Sequence, residues 1–119
     1  MGNFQELDVW KIAKELAIYI YEVTNKSPFS KDFGLRDQIR RATVSISSNI
    51  SEGDESGTNK MSIRYFYIAK ASNAEVQTQA IITNDIGYIS DTEKENIISI
   101  CEKISKKLYR LIQYRSQYK

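Results

Sequence analysis

The run DVWKIAKELAIYIYEVT, from Asp8 to Thr24, decides the fold class. Within it Val9, Ala13, Leu16, Ile20 and Val23 recur at alternating steps of four and three. That is the spacing which stacks side chains on one face of an α-helix. Trp10, Ala17 and Tyr21 draw a second apolar line beside the first. So wide an apolar surface predicts contact with more than one neighbouring helix.

Three further segments follow the same rule. From Gly34 to Glu52, Leu35, Ile39, Ala42, Ile46 and Ile50 keep helical spacing, and Gly53 reads as a C-terminal stop. The small residues Ala42, Ser45, Ser47 and Ser48 let another helix come close. From Asn59 to Tyr88, with Thr58 as N-cap, the expected seam is Met61, Tyr65, Ile68, Ser72, Glu75, Gln79, Ile82, Ile86 and Ile89. Its ends are apolar and its middle polar, and Gly87 and Ser90 mark its end. From Asp91 to Tyr114 the seam is Ile97, Cys101, Ile104, Leu108 and Leu111, and Ser90 and Glu93 have capping-box spacing. Acids at the start of this segment and lysines near its end both suit the helix dipole. Asn25 to Asp32 is a loop holding the only proline, Pro28, and no segment alternates with the period of a strand. Short later connections imply antiparallel neighbours. The reading is all-α: an up-down antiparallel four-helix bundle forming a single domain over residues 1–119.

The chemistry available is limited. The chain has no histidine, which removes Ser–His and Cys–His dyads and the carboxylate–histidine metal sites of helical bundles. Its one cysteine cannot form an intrachain disulfide, and Cys101 lies in an apolar pattern that predicts a buried, inert thiol. Gly53, Gly57 and Lys60 have the wrong spacing for a phosphate loop and follow a helix instead of a strand. No apolar run reaches the length of a membrane span, and Met1 to Asp8 lacks the features of a signal peptide. The expectation is a cytoplasmic protein with no membrane contact, no catalytic residue, no cofactor and no metal.

Two polar features stand out. On the second segment Gln38, Arg41, Ser45, Asn49 and Glu52 share a face, and the third offers Ser72, Glu75 and Gln79. These two patches are expected to meet as a hydrogen-bonded network that fixes helix register, with Arg41 paired to Glu75, since buried charges persist only when paired. The competing reading is a pocket for a small polar ligand or a metal. The second feature is basic surface, although the net charge is only +2. Arg36, Arg40 and Arg41 open the second segment, Lys60, Arg64 and Lys70 lie on the third, and Lys103, Lys106, Lys107, Arg110 and Arg115 close the chain. Tyr109, Tyr114 and Tyr118 interleave with the last group. Such a set is either a solvated helix end or a surface for RNA or DNA phosphates with tyrosines for base stacking.

The stretch GLRDQIRRATVSISSNISEG, Gly34 to Gly53, resembles the signature of the four-helix bundle proteins encoded by intervening sequences of bacterial 23S ribosomal RNA genes. That pattern runs roughly GL-x-x-Q-x-RRA-x-x-SI-x-x-NI-x-EG. Phe4 to Trp10 is similar to the family's F-x-x-L-x-V-W opening. Ile68-Ala69, Ser72 and Glu75 resemble its third-helix motif, and Ile86-Gly87-Tyr88 stands where the family has Leu-Gly-Tyr. Ala71 replaces a frequent Gly and Ser51 a frequent Ala; all are small, so the same fold is implied. The resemblance implies an up-down bundle that assembles as a homopentamer. It also implies kinship with the accessory variability determinant of diversity-generating retroelements, which binds nucleic acid and its reverse transcriptase. The expected function is therefore a non-enzymatic oligomeric module that binds RNA, other nucleic acid or a ribonucleoprotein, with a nucleic-acid-processing protein as a further partner. The alternative is a protein–protein scaffold that binds no nucleic acid.

Overall fold

The computed structural model describes residues 3–117, which form four long helices. They are α1 (Asp8–Thr24), α2 (Phe33–Glu55), α3 (Asn59–Asp85) and α4 (Asp91–Ser116). Short 3₁₀ turns cover Phe4–Glu6 and Phe29–Lys31. Met1 and Tyr118, which enter the readings above, lie outside the described residues. Each helix packs on its chain neighbours and α1 closes on α4, so α1 and α3 lie on one diagonal and α2 and α4 on the other. The result is an up-down four-helix bundle, 48 Å long and 20 Å across.

The inner faces of α1, α2 and α4 are those the spacing predicts. Val9, Ala13, Leu16, Ile20 and Val23 from α1 meet Ile39, Ala42, Ile46 and Ile50 from α2, and Ile97, Cys101, Ile104 and Leu108 from α4. Ile112, one position past the expected Leu111, completes the last seam, and Leu111 is half-buried. Trp10 is half-buried, its ring meeting Phe4 edge-on at 5.2 Å, so the N-terminal turn covers part of the second apolar line of α1.

The chain ends its helices by local hydrogen bonding. Asp32 caps α2 with Oδ1, which accepts from the Leu35 N–H at 3.2 Å. Its Oδ2 accepts from the Tyr88 hydroxyl at 2.9 Å, tying the α1–α2 connection to the α3–α4 connection. That bond to a carboxylate holds the Tyr88 pKa above its ordinary 10.0. Gly87 has φ +85°. The Tyr88 N–H reaches back to the Thr83 carbonyl at 2.8 Å, while the Gly87 N–H donates to the Asn84 carbonyl at 3.0 Å. This left-handed C-terminal turn is the position where a glycine is required. At the head of α4, Ser90 Oγ accepts from the Glu93 N–H at 3.0 Å and Glu93 Oε1 accepts from the Ser90 N–H at 2.8 Å. Lys26 adds an ion pair to Glu93 at 3.1 Å.

Two expectations are corrected. First, Gly53 does not stop α2; the helix runs on to Glu55. Gly53 is there because α3 comes too close for a side chain. A Cβ at this position would stand 2.6 and 2.9 Å from ring carbons of Phe66 and 3.1 Å from the Ser62 carbonyl oxygen. The Gly53 carbonyl, left over near the end of the helix, accepts from the hydroxyls of Ser62 at 2.6 Å and Ser56 at 2.8 Å.

Second, α3 is rotated from its expected seam. The buried line is Ser62, Phe66, Ala69, Asn73, Val76, Ala80 and Thr83. Ser72, Gln79 and Ile89 are buried as expected, and Tyr65 is half-buried. Met61, Ile68, Ile82 and Ile86 instead keep 49%, 41%, 45% and 51% of their surface exposed. α3 carries apolar residues on two sides, so periodicity alone does not choose between them. Turning the isoleucines inward would expel Phe66 and Val76 and break the Gly53 contact.

Gly53→Ala should therefore destabilise the fold. The clash, worth about 1–3 kcal/mol in a packed core, outweighs the ~0.5–1 kcal/mol that alanine gains over glycine in a helix. Urea titration of Gly53→Ala, Phe66→Leu and the double variant checks this: the double should lose less than the sum of the singles.

Acid should loosen the head of α4. Burial raises the pKa of Glu93, but the Ser90 N–H and Lys26 together outweigh it and leave the group below its usual 4.5. A carboxyl lowered in the folded state lends stability above its unfolded pKa and loses it as the pH falls through the folded one. Glu93→Gln keeps the cap geometry without the charge. Its stability should fall less steeply than wild type below about pH 4.5, close to the ordinary glutamate pKa, as measured by urea midpoints from pH 3 to 7.

Candidate nucleic-acid interface

The ring order of the helices separates the basic residues. α2 and α4 are diagonal, so Arg36 and Arg40 belong to a different flank from the C-terminal lysines. Both are occupied. Arg36 Nε donates to Asp37 at 2.9 Å and Nη1 to the Ser30 carbonyl at 3.1 Å, with its guanidinium over Phe33. Arg40 Nε donates to Thr24 Oγ1 at 2.8 Å, and its guanidinium lies 4.4 Å from the Tyr21 ring centroid.

The α4 residues turn to two sides. Lys107 pairs with Asp8 at the start of α1, and this hydrogen bond is the main cause holding the Asp8 carboxyl below its usual range. Towards α3, Lys70, Ser105, Lys106, Tyr109 and Arg110 line a shallow cleft. Lys70 comes from α3 and donates to Ser105 Oγ at 3.3 Å, its ammonium 6.0 Å from the Tyr109 ring centroid. Tyr109 is 56% exposed, and its hydroxyl accepts from Gln113 at 2.9 Å. Lys60, Arg64, Lys103, Lys106 and Arg110 are exposed, and none forms an ion pair among the described residues. Three cationic side chains, Lys70, Lys106 and Arg110, thus line one cleft with the open Tyr109 ring, and no carboxylate is among its lining residues.

Arg115 leaves this set. It sits 5.6 Å from the Phe66 ring centroid, with Nη2 donating to Asp54 Oδ1 at 2.8 Å and Nη1 to Ser62 Oγ at 3.0 Å. The Asp54 side chain is only 4% exposed. This is the buried ion pair among the described residues, and it is not the one the sequence suggests. Arg41 and Glu75 are both exposed, and no ion pair joins them. Asp54 escapes a sequence reading that ends the second helix at Glu52. With the helix carried one turn further, Asp54 stands four after Ile50 on the same buried line.

The rest of the polar stripe joins α2 to α3 through neutral groups. Ser45 and Ser72 hydroxyls are 2.9 Å apart and Gln79 Nε2 approaches Gln38 Oε1 at 3.4 Å, while Asn49 Nδ2 stays within α2 and donates to the Ser45 carbonyl at 2.8 Å. Glu52, like Arg41 and Glu75, points out of this network and is exposed. A second polar tie, which the sequence does not signal, is buried between α3 and α4: Asn73 Nδ2 donates to the Cys101 carbonyl at 2.8 Å. Burial, helped by the neighbouring Glu102 charge, pushes the Cys101 thiol up to about 12, so it stays protonated at neutral pH. Among the described residues no three His, Cys, Asp or Glu side chains gather as a metal would need, and no helix is long and apolar enough to cross a membrane.

The chain belongs to the 23S rRNA-intervening sequence protein family, whose model matches residues 5–110. The fold is similar to the crystal structure of a protein of unknown function from the S23 ribosomal protein family of Bacteroides thetaiotaomicron. The TM-score is 0.80 at 25% sequence identity, over 87% of this chain and 97% of that one. Among curated proteins none matches this chain.

Asp54→Ala should strand the Arg115 guanidinium against Phe66. The expected loss is about 3 kcal/mol, at the low end for a broken buried pair because Arg115 can reach water. Urea unfolding at fixed protein concentration checks it, with Asp54→Asn, which keeps an acceptor for Arg115, expected to lose clearly less.

Proposed function

We propose that this protein is a non-enzymatic, self-assembling module of the cytoplasm that binds RNA, or nucleic acid more generally, through the cleft between α3 and α4. The observation that carries the reading is a cleft lined by Lys70, Lys106, Arg110 and the exposed Tyr109 ring, with no carboxylate among its lining residues. Ammonium and guanidinium groups release counterions when they meet phosphates, and an open tyrosine offers a stacking platform that accepts any base. The expected recognition is therefore tolerant of sequence. Self-assembly as a ring, five-membered by the family resemblance, would repeat a modest site and raise its strength by avidity.

A second reading, a protein–protein scaffold, draws on a different observation: the isoleucines of α3 that stand in solvent. The two readings separate by salt dependence, which is steep for phosphate contacts and shallow for apolar ones.

Fluorescence anisotropy with labelled single-stranded and duplex RNA at two salt concentrations is the test. Each phosphate contact on a single strand contributes about −0.7 to the slope of log K against log salt, so three contacts per cleft give roughly −2. Replacing Lys70, Lys106 and Arg110 with Gln should remove most of that slope and weaken binding, with helicity and oligomer size unchanged. Absence of wild-type binding at low salt would overturn the nucleic-acid reading and leave the scaffold.

A further inference from the structure

We infer that an unpaired strand of RNA runs lengthwise along the outer face of α4, its phosphates on a central row of cations and its bases stacked on a tyrosine at either edge. This rests on the nucleic-acid reading above. It adds the path, the single-stranded character of the ligand, and two residues outside the cleft, Lys103 and Tyr114.

From Lys103 to Ser116 α4 contains no carboxylate. Lys103, Lys106, Tyr109, Arg110, Gln113 and Tyr114 are all exposed there. An α-helix turns about 100° per residue, which fixes how these side chains share the face. Measured round the axis from Tyr109, Lys106 lies at about 60°, Arg110 at about 100°, Lys103 at about 120° and Tyr114 at about 140°. The cations therefore form a row along the helix, and the two tyrosines stand on its opposite flanks. Tyr109 is on the α3 flank, where Lys70 reaches its ring. Tyr114 is on the α1 flank, about 20° short of Lys107, which pairs with Asp8 of α1. Each tyrosine keeps 56% of its surface exposed. Lys103, Lys106 and Arg110 form no ion pair among the described residues.

This face suits one strand and not two. It is about 17 Å long from Lys103 to Tyr114 at 1.5 Å per residue, with charge along its middle and rings at its sides. A single strand sets its phosphates in one line and can splay its bases to either side onto aromatic rings. A duplex keeps its bases stacked on one another inside, so it reaches the cations alone. The cleft at Lys70 and Tyr109 is then one flank of a longer path. The nearby acids mark its limits. Glu102, one turn before Lys106, is exposed and closes the path at that end, because a phosphate there would meet a like charge. Asp8, on the α1 flank, is held by Lys107 and lies in the field of Lys11 and Lys103 as well, so its charge is compensated.

The experiment is fluorescence anisotropy with labelled single-stranded RNA, the same strand made abasic, and duplex RNA. The proteins are wild type, Tyr109→Ala, Tyr114→Ala, the two matching Phe variants and Lys103→Gln. These side chains are exposed, so helicity by circular dichroism should be unchanged. The wild type should bind the single strand at least about tenfold tighter than the abasic strand, which carries the same phosphates. Each Tyr→Ala change should weaken single-strand binding at least about fivefold while leaving its salt dependence and the binding of duplex and abasic strand unaltered. The Phe variants keep the ring and should bind as wild type does. Lys103→Gln should lower the slope of log K against log salt by about 0.7. Absence of wild-type binding to any of the RNAs at low salt overturns both this path and the nucleic-acid reading. Binding that ignores both Tyr→Ala changes and the loss of the bases leaves the nucleic-acid reading standing and overturns the stacked single strand. Loss of affinity in Tyr109→Ala alone, with Tyr114→Ala and Lys103→Gln like wild type, confines the strand to the cleft and overturns the lengthwise path.

Discussion

Where α2 gives way to α3, the Phe66 ring lies against the backbone of Gly53 so closely that a methyl group there would enter the ring. This contact fixes how α3 is turned about its own axis, and much else follows from the turn. With Phe66 inward, Ala69, Val76 and Ala80 reach the core and Ser72 meets Ser45. The Phe66 ring is then covered by the Arg115 guanidinium, which finds Asp54 and Ser62 within reach. α4 is thereby held at its last turn by the same contact that sets the start of α3. An aromatic ring packed on a glycine gains dispersion and apolar burial, and here it also positions the one deeply buried carboxylate among the described residues.

The placement of charge follows desolvation. Asp54 is enclosed, and it is held by an arginine that also donates to Ser62, so the charge is compensated where water is scarce. Arg41 and Glu75 stand in water, where an unpaired charge costs little. Between α2 and α3 the inward positions are filled instead by hydroxyl and amide groups, Ser45, Ser72, Asn49 and Gln79, which form hydrogen bonds without burying charge. The polar middle of the hairpin is thus neutral inside and charged outside.

This division explains what is legible in the sequence. α1 is readable to its last residue because Val9, Ala13, Leu16, Ile20 and Val23 keep one unbroken run of apolar helical spacing. The capping box of Ser90 and Glu93 and the Thr58 cap are readable because caps are local chemistry. The end of α2 is not, since a glycine that stops a helix and one that admits a neighbouring ring look alike in sequence. The same ambiguity at Gly53 hides Asp54, and with it the role of Arg115. The rotation of α3 is illegible because both of its sides carry helical spacing; Ile68 and Ile82 are as apolar as Val76, and only the partner helix decides which line turns inward. For the basic residues, the sequence supplies the types but not the ring order. That order parts Arg36 and Arg40 from Lys106 and Arg110 and brings Lys70 to Tyr109.

α3 presents a different chemistry on each of its sides. Its buried line from Ser62 to Thr83 holds the fold. On its α4 side Lys70 reaches Ser105 and stands over the Tyr109 ring, so the helix also supplies one wall of the basic cleft. Ile68, nearly opposite Lys70 at about 100° per residue, and Ile82 keep 41% and 45% of their surface exposed. The two apolar lines that make the α3 sequence ambiguous therefore differ in kind: the one that meets Gly53 is closed in the core, and the other stands in solvent because the same helix cannot turn both inward.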